Sequence, residues 1–160
     1  MRNIEPPTIF KDFRGGYVEL YNEELYHAAG IDQNFIQDDI AYSKYHVLRG
    51  FHGDAKTWKL ISCLTGTLFQ AVVNWDEASP QYMKSDTFEL SEDNRLQVLV
   101  PPKFGNAHLV LSDNAIFHYK QTTLYERETQ FTILWNDERL DIDWPVDEPI
   151  LSDRDRGMED

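Results

Sequence analysis

A chain of 160 residues with 41% hydrophobic and 13% aromatic residues can bury one sizeable core and leaves little room for a second, so residues 1–160 are read as a single domain. Its 28 Asp and Glu against 15 Lys and Arg give a formal charge of −13, the wrong sign for non-specific contact with nucleic acid or an anionic lipid surface. The opening MRNIEPPTIF has no apolar stretch of signal-peptide length, and no later run approaches the roughly 20 apolar residues of a membrane span; the expectation is a soluble, cytoplasmic protein.

In chain order, Tyr17 to Tyr21 reads as a strand. A short helix follows, with Asn22 as cap, Glu23 and Glu24 in the first turn, Leu25, Tyr26 and Ala28 as its face, and Gly30 as its stop. Leu60 to Leu64, Thr67 to Val73, Phe88 to Leu90, Leu96 to Val100, His108 to Ser112, Ala115 to Thr122 and Phe131 to Trp135 are short and rich in aromatic or β-branched residues, as strands are. Thr65-Gly66 fits a tight hairpin, Ser112-Asp113-Asn114 fits another, and Pro101-Pro102 halts the strand before it. The lone Cys63, inside LISCL, has no partner for an internal disulfide and reads as a buried structural thiol. The acidic tail from Asp153 to Asp160 reads as partly frayed. About eight short strands with almost no helix predict an all-β, cupin-like jelly roll, a sandwich or barrel with one or two short helices, whose interior can hold a small ligand.

Strand parity sorts the polar residues. Asn106 and His108 share one face, and Tyr119 lies with Phe117 and Gln121, opposite His118 and Lys120. The segment VLRGFHGDAKTWKL gathers Arg49, His52, Asp54, Lys56 and Lys59 in a chain otherwise short of positive charge, which points to an anionic ligand. Each feature also has a plain structural reading. A histidine beside a glycine can simply be hydrogen-bonded in place, flanking lysines and arginines can be solvated, and Tyr119 can be core with a satisfied hydroxyl. His27 and His118 read as structural or exposed, and His46 fits either role. No His-x-His pair with a nearby carboxylate suggests a metal, no glycine-flanked serine offers a nucleophile, and no Gly-rich loop offers a phosphate cradle.

The runs IQDDIAYSKYHVLRGFHGDAKTWKL, LSEDNRLQVLVPPKFGNAHLVLSD, FHYKQTTLY and WNDERLDIDWPVDEPILSDRD, in that order and spacing, resemble the dTDP-4-dehydrorhamnose 3,5-epimerase family over roughly Phe10 to Asp155. The pieces HGD, KTWKL and GNAH look more like GDP-linked 4-keto-heptose epimerases of capsule biosynthesis. The resemblance implies a jelly-roll homodimer that uses no metal or cofactor and acts on a nucleotide-diphosphate-linked 4-keto sugar, GDP- or dTDP-linked. By the same resemblance, His52 is the general base, Asp155 its carboxylate partner, Lys59 the lysine of the KL pair, and Tyr119 the acid on the opposite face of the sugar. Arg14, Glu19, Gln37 and Arg49 match residues lining the nucleotide and pyrophosphate region, the first two reaching the partner subunit's site. The chain departs from the family where rhamnose-pathway enzymes carry F-A-H-G-F: the family histidine is replaced by Asn106, and His108 stands where the family has Phe. His108 either shares the pocket and recovers part of the lost role or fills the space of that Phe.

These residue types suit the implied reaction. A ketone at C4 acidifies the hydrogens on C3 and C5, so either centre inverts when a proton leaves one face and another arrives on the opposite face. Neutral imidazole is a base of suitable strength, and a carboxylate fixes its tautomer and stabilises the imidazolium. The enolate oxygen needs a preorganised cation or donor, a role for Lys59 with Asn106, and a phenol returns the proton. Arg14 and Arg49 would offset the charge of the pyrophosphate.

Overall fold

The computed structural model describes residues 2–4 and 6–158. Two five-stranded antiparallel sheets face each other. The first sheet runs β1 (Arg2–Ile4), β9 (Gln97–Val100), β6 (Lys59–Thr65), β11 (Asn114–Gln121) and β4 (Gln37–Lys44). The second runs β12 (Phe131–Thr132), β5 (Leu48–Gly53), β10 (Phe104–Val110), β7 (Thr67–Asn74) and β8 (Ser85–Ser91). A separate hairpin, β2 (Ile9–Asp12) with β3 (Gly15–Val18), precedes the one α-helix among the described residues, α1 (Glu23–Ala28). The expected all-β sandwich of the cupin-like type is present, and no helix among the described residues is long and apolar enough to cross a membrane.

Burial explains the composition of the strands. Ile61, Cys63, Leu68, Val72, Val98 and Val110 meet between the sheets. The outer face of the first sheet is covered where Leu60 and Leu99 pack under Ile31, Tyr26 and Trp58. The outer face of the second is covered where Phe51, Ala71 and Ala107 pack under Ile133, Leu140 and Trp144. Strands with cover on both faces need apolar residues at nearly every position, which is why β9 is buried throughout. Cys63 is buried as expected, and burial pushes its thiol up to about 11.

Several expectations are corrected. The two turns taken for hairpins do not join neighbouring strands: Thr65-Gly66 carries the chain from β6 in the first sheet to β7 in the second, and Ser112-Asp113-Asn114 carries it back from β10 to β11. A jelly roll closes by such crossings, and turn residues serve a corner as well as a hairpin. Of the expected strand Tyr17 to Tyr21 only Tyr17 and Val18 are paired, in a strand that begins at Gly15, and the Phe131 to Trp135 segment is paired only over Phe131–Thr132. Four strands, β1, β2, β4 and β5, do not appear among the expected ones. The helix forms as read: the Asn22 side chain accepts from Leu25 N at 3.2 Å, and Gly30 sits at φ 79° just beyond the end. Leu25, however, is 61% exposed, and it is Tyr26 that packs inward.

The two corners lock together at Gly66, which has φ 79°. A Cβ there would fall 2.3 Å from the Asn114 carbonyl oxygen and 2.4 Å from Ser112 Oγ, the hydroxyl that accepts from Thr67 N at 2.9 Å and donates to Asn114 O at 2.7 Å. Gly66→Ala therefore meets both a backbone penalty and a clash, with an expected loss of at least about 2 kcal/mol, to be read as a lowered urea midpoint at unchanged slope.

Candidate active site

His52 and Asp155 are brought together by chain segments far apart in sequence. His52 lies near the end of β5, and its Nε2 is 2.7 Å from Asp155 Oδ1. The same oxygen accepts from Gly50 N at 3.3 Å, and Oδ2 accepts from Ser152 Oγ at 2.8 Å. The segment before Asp155 is anchored beside β5, with Leu48 N donating to Ile150 O at 3.0 Å and Ile150 N to His46 O at 2.8 Å. Asp155 is only 3% exposed, so the tail expected to be partly frayed is pinned at this carboxylate, with Arg156 to Met158 exposed beyond it; Glu159 and Asp160 lie outside the described residues. Burial raises the Asp155 pKa, but the bonds with His52 and Ser152, the charge of His52 and the Gly50 N–H outweigh it and hold the carboxyl below its ordinary 3.8. Gly50, at φ 119°, makes this possible: a Cβ would lie 2.5 Å from Asn106 O, so only glycine lets β5 run this close to β10 while turning its N–H to the carboxylate.

The facing wall comes from the first sheet. Lys59 and Tyr119 point into the same space, with the Lys59 Nζ 5.8 Å from the centre of the Tyr119 ring. Burial pushes the Lys59 ammonium pKa down, with Asp54 and Asp39 pulling the other way. Burial, and then the Asp39 carboxylate paired opposite on β4, push the Tyr119 phenol well up, so it stays protonated. The parity reading holds: Phe117 and Tyr119 line the cleft, while His118 turns outward to Ser62 Oγ at 2.9 Å. Asn106 and His108 also share the inner face. Asn106 Nδ2 donates to the His52 carbonyl at 2.9 Å, bracing the strand that carries the base. His108 is stacked on Phe117 at 4.0 Å and is 4% exposed; burial, helped by the charges of Arg49 and His52, drives its pKa down to about 3, so the ring is neutral.

These walls enclose a cavity of about 370 Å³. Arg49, held by Ser43 Oγ at 3.0 Å, lines it together with Lys59, Arg127 and Arg154. Four cations converge on a cleft whose lining, among the described residues, includes one carboxylate, Asp155, within a chain of charge −13, and this is a field suited to an anionic ligand. Sequence reasoning named Arg49 and Lys59 but missed Tyr125, Arg127, Gln130 and Arg154. Arg154 stood in plain view in LSDRD, next to the carboxylate that had been picked out. No cluster of three or more His, Cys, Asp or Glu suited to a metal occurs among the described residues.

Three sequence-selected residues lie elsewhere in the chain. Arg14 is at the turn of the β2–β3 hairpin, largely exposed and paired with Asp12. Glu19 lines a separate groove between the N-terminal segment and α1, where it accepts from Asn22 Nδ2 at 3.1 Å. Gln37 donates to Asp39 Oδ2 at 2.7 Å and accepts from Tyr125 N at 3.0 Å, so it holds the loop bearing Tyr125 and does not line the cavity. Asp54 is likewise structural, accepting from Lys56 N, Thr57 N and Gln130 Nε2.

A carboxylate-held imidazole and a buried phenol lie across a cation-lined cleft in a jelly roll, an arrangement that can move a proton to or from an anionic ligand. The family model described as dTDP-4-dehydrorhamnose 3,5-epimerase matches residues 3–160, and the chain belongs to that family. It is 39% identical to the dTDP-4-dehydrorhamnose 3,5-epimerase of Escherichia coli (strain K12), over 97% of this chain and 86% of the relative. Its structure is similar to that of a dTDP-6-deoxy-D-glucose-3,5-epimerase from Legionella pneumophila in complex with dTDP-4-keto-L-rhamnose, with TM-score 0.91 and 36% identity over 97% of this chain and 84% of the other. It is also similar to a 3'-monoepimerase from Streptomyces bikiniensis in complex with dTDP-quinovose, with TM-score 0.89 and 29% identity over 97% of this chain and 80% of the other.

Because the native Asp155 carboxyl titrates below 3.8, its contribution to stability is complete above that pH and is lost as pH falls through the native value. Asp155→Asn is expected to cost about 1–3 kcal/mol at neutral pH. The gap from the native chain should narrow below about pH 4, as read from denaturant melts at a series of pH values; a gap independent of pH would contradict the role given to the carboxylate.

Proposed function

We propose that the protein is a cofactor-independent epimerase that inverts C3, C5 or both in a nucleotide-diphosphate-linked 4-keto sugar, a 6-deoxyhexose or heptose, in surface polysaccharide biosynthesis. The observation that carries this reading is the placement of His52 and Tyr119 on opposite walls of one cleft, since inversion needs a base and an acid on opposite faces of the carbon. His52 removes the proton, and Asp155 orients the ring and stabilises the imidazolium. Lys59 faces the enolate oxygen. Burial pushes its pKa down and makes its charge count for more than in water. Tyr119, held protonated, returns a proton from the far side. Asn106 has one amide hydrogen committed to the His52 carbonyl, which leaves the other for the substrate. The diphosphate is assigned to Arg49, Arg127 and Arg154.

A second reading, inversion at C3 alone, is favoured by Asn106, which cannot shuttle a proton as the family histidine can. Incubation with a 4-keto sugar nucleotide in heavy water separates the cases. Deuterium at C3 and C5 with inversion supports the double epimerase, and deuterium at C3 alone the single one. A displaced ketone would mean a ketoisomerase, and no exchange a binding module. His52→Asn is expected to reduce exchange at both carbons by about 10²–10⁴-fold, while Tyr119→Phe should spare exchange at C3 and impair inversion at C5. The same assay with GDP- and dTDP-linked substrate decides the nucleotide: the relatives named above are dTDP-linked enzymes, whereas HGD, KTWKL and GNAH resemble GDP-linked ones.

The chain is also proposed to work as a homodimer. Arg14 and Glu19 lie outside the cleft of their own chain, and the hairpin that carries Arg14 and runs up to Glu19 exposes Phe10, Phe13 and Tyr17, an apolar surface of the kind that subunits cover. Light scattering that found a fully active species at 18.8 kDa would overturn this.

A further inference from the structure

The phenol proposed to return a proton holds that proton firmly, and the reason lies on the neighbouring strand. Directly opposite Tyr119 of β11 is Asp39 of β4. Both are on the inner face of the sheet, since the odd-numbered residues of β4 are its less exposed ones and Ala41 lines the cleft with Tyr119. The Asp39 carboxylate is fixed in place by two neutral amides: Oδ2 accepts from Gln37 Nε2 at 2.7 Å and from Gln121 Nε2 at 3.2 Å. Gln121 is buried and is itself the cross-strand partner of Gln37. Among the described residues, no lysine or arginine comes within ion-pair distance of Asp39. A fixed carboxylate without a paired cation therefore stands beside the phenol.

Such a neighbour attracts the hydroxyl proton and makes the phenolate costly, because a second negative charge would form next to the first in a partly buried setting. Burial and Tyr125 act in the same direction. Lys59 faces the ring from β6, its Nζ 5.8 Å from the centre, and its charge acts the other way. When Tyr119 serves C5, its O–H bond breaks as a C–H bond forms, the enolate returns to the ketone, and the phenolate left beside Asp39 takes a proton from solvent. A general acid works best with a pKa near the working pH, and Asp39 moves Tyr119 away from that condition. His52 stands on the other sheet, so this penalty falls on one centre more than on the other. We infer that Asp39 is a positioning residue that acts through Tyr119 and slows the return of the proton at C5, so that inversion at C5 lags behind inversion at C3. This rests on the epimerase reading proposed above.

The test is Asp39→Asn, which keeps an oxygen for the two glutamine amides and removes the charge, with heavy-water exchange followed at both carbons of a 4-keto sugar nucleotide. The ratio of the C5 rate to the C3 rate is expected to rise about three- to tenfold over the wild type. Where the wild type exchanges at C3 alone, exchange at C5 is expected to appear. Asp39→Glu, which keeps the charge, should stay near the wild-type ratio, whereas lost packing would lower both rates together. A ratio unchanged or lowered in folded Asp39→Asn overturns the inference and leaves the epimerase reading intact. An equal change at both carbons also overturns it, because that would place the effect on Lys59, whose ammonium Asp39 supports. A second measurement needs no variant of Asp39. In protein labelled with carbon-13 at tyrosine Cζ, the Tyr119 signal, identified by its loss in Tyr119→Phe, should remain that of a phenol at about pH 11, above the ordinary range for tyrosine; ionisation there overturns the inference even if Asp39→Asn does not fold. Absence of exchange at either carbon in the wild type defeats the epimerase reading and this inference with it.

Discussion

The candidate site depends on one buried carboxylate. Asp155 touches His52 through one oxygen, the backbone of β5 through the same oxygen, and its own turn through the other. A charge so placed is costly unless every contact is in position. The C-terminal segment is therefore not free to settle elsewhere against β5, and the orientation of His52 follows from how that segment docks. The glycine at position 50 belongs to the same requirement, since a side chain there would push β5 off β10 and remove the N–H from reach.

The two sheets divide the work in a way that the layers of the fold make possible. The second sheet supplies His52, Asn106 and His108, and the first supplies Lys59 and Tyr119. Because part of each sheet's outer face is also packed, by α1 and its following loop on one side and by the segment through Trp144 on the other, the inner faces can carry polar groups at one end without losing the core at the other. The transition runs along β11, where Ala115 and Phe117 belong to the core and Tyr119, two residues on, belongs to the cleft.

What the sequence revealed, and what it hid, has the same origin. The strands with ordinary patterning were readable, and so was the parity that turns Tyr119 inward and His118 outward. β4 was missed because its pattern is inverted: Ala41 and Ser43 face the polar cleft, while Ile40 and Tyr42 lie outside and exposed. β5 was missed because Gly50, Gly53, Arg49 and His52 give it the composition of a loop, which is what a strand devoted to a site looks like. The pairing of His52 with Asp155 left no periodic trace and came only from the family likeness. The corners at Thr65-Gly66 and Ser112-Asp113-Asn114 were recognised as turns but not as crossings between sheets, since local turn chemistry carries no information about which sheet the next strand joins.

The contrast between the cationic cleft and the charge of −13 sets how a ligand arrives. At low ionic strength the negative field of the whole molecule reaches far into solvent and turns a diphosphate away before it meets Arg127 and Arg154. At physiological ionic strength the screening length is about 8 Å, so the distant carboxylates fade while cations in direct contact with the ligand do not. Added salt thus acts oppositely on the two halves of the encounter, easing the approach and weakening the grip. The rate of capture should pass through a maximum with salt instead of falling from the start, as it does for proteins whose overall charge attracts their ligand.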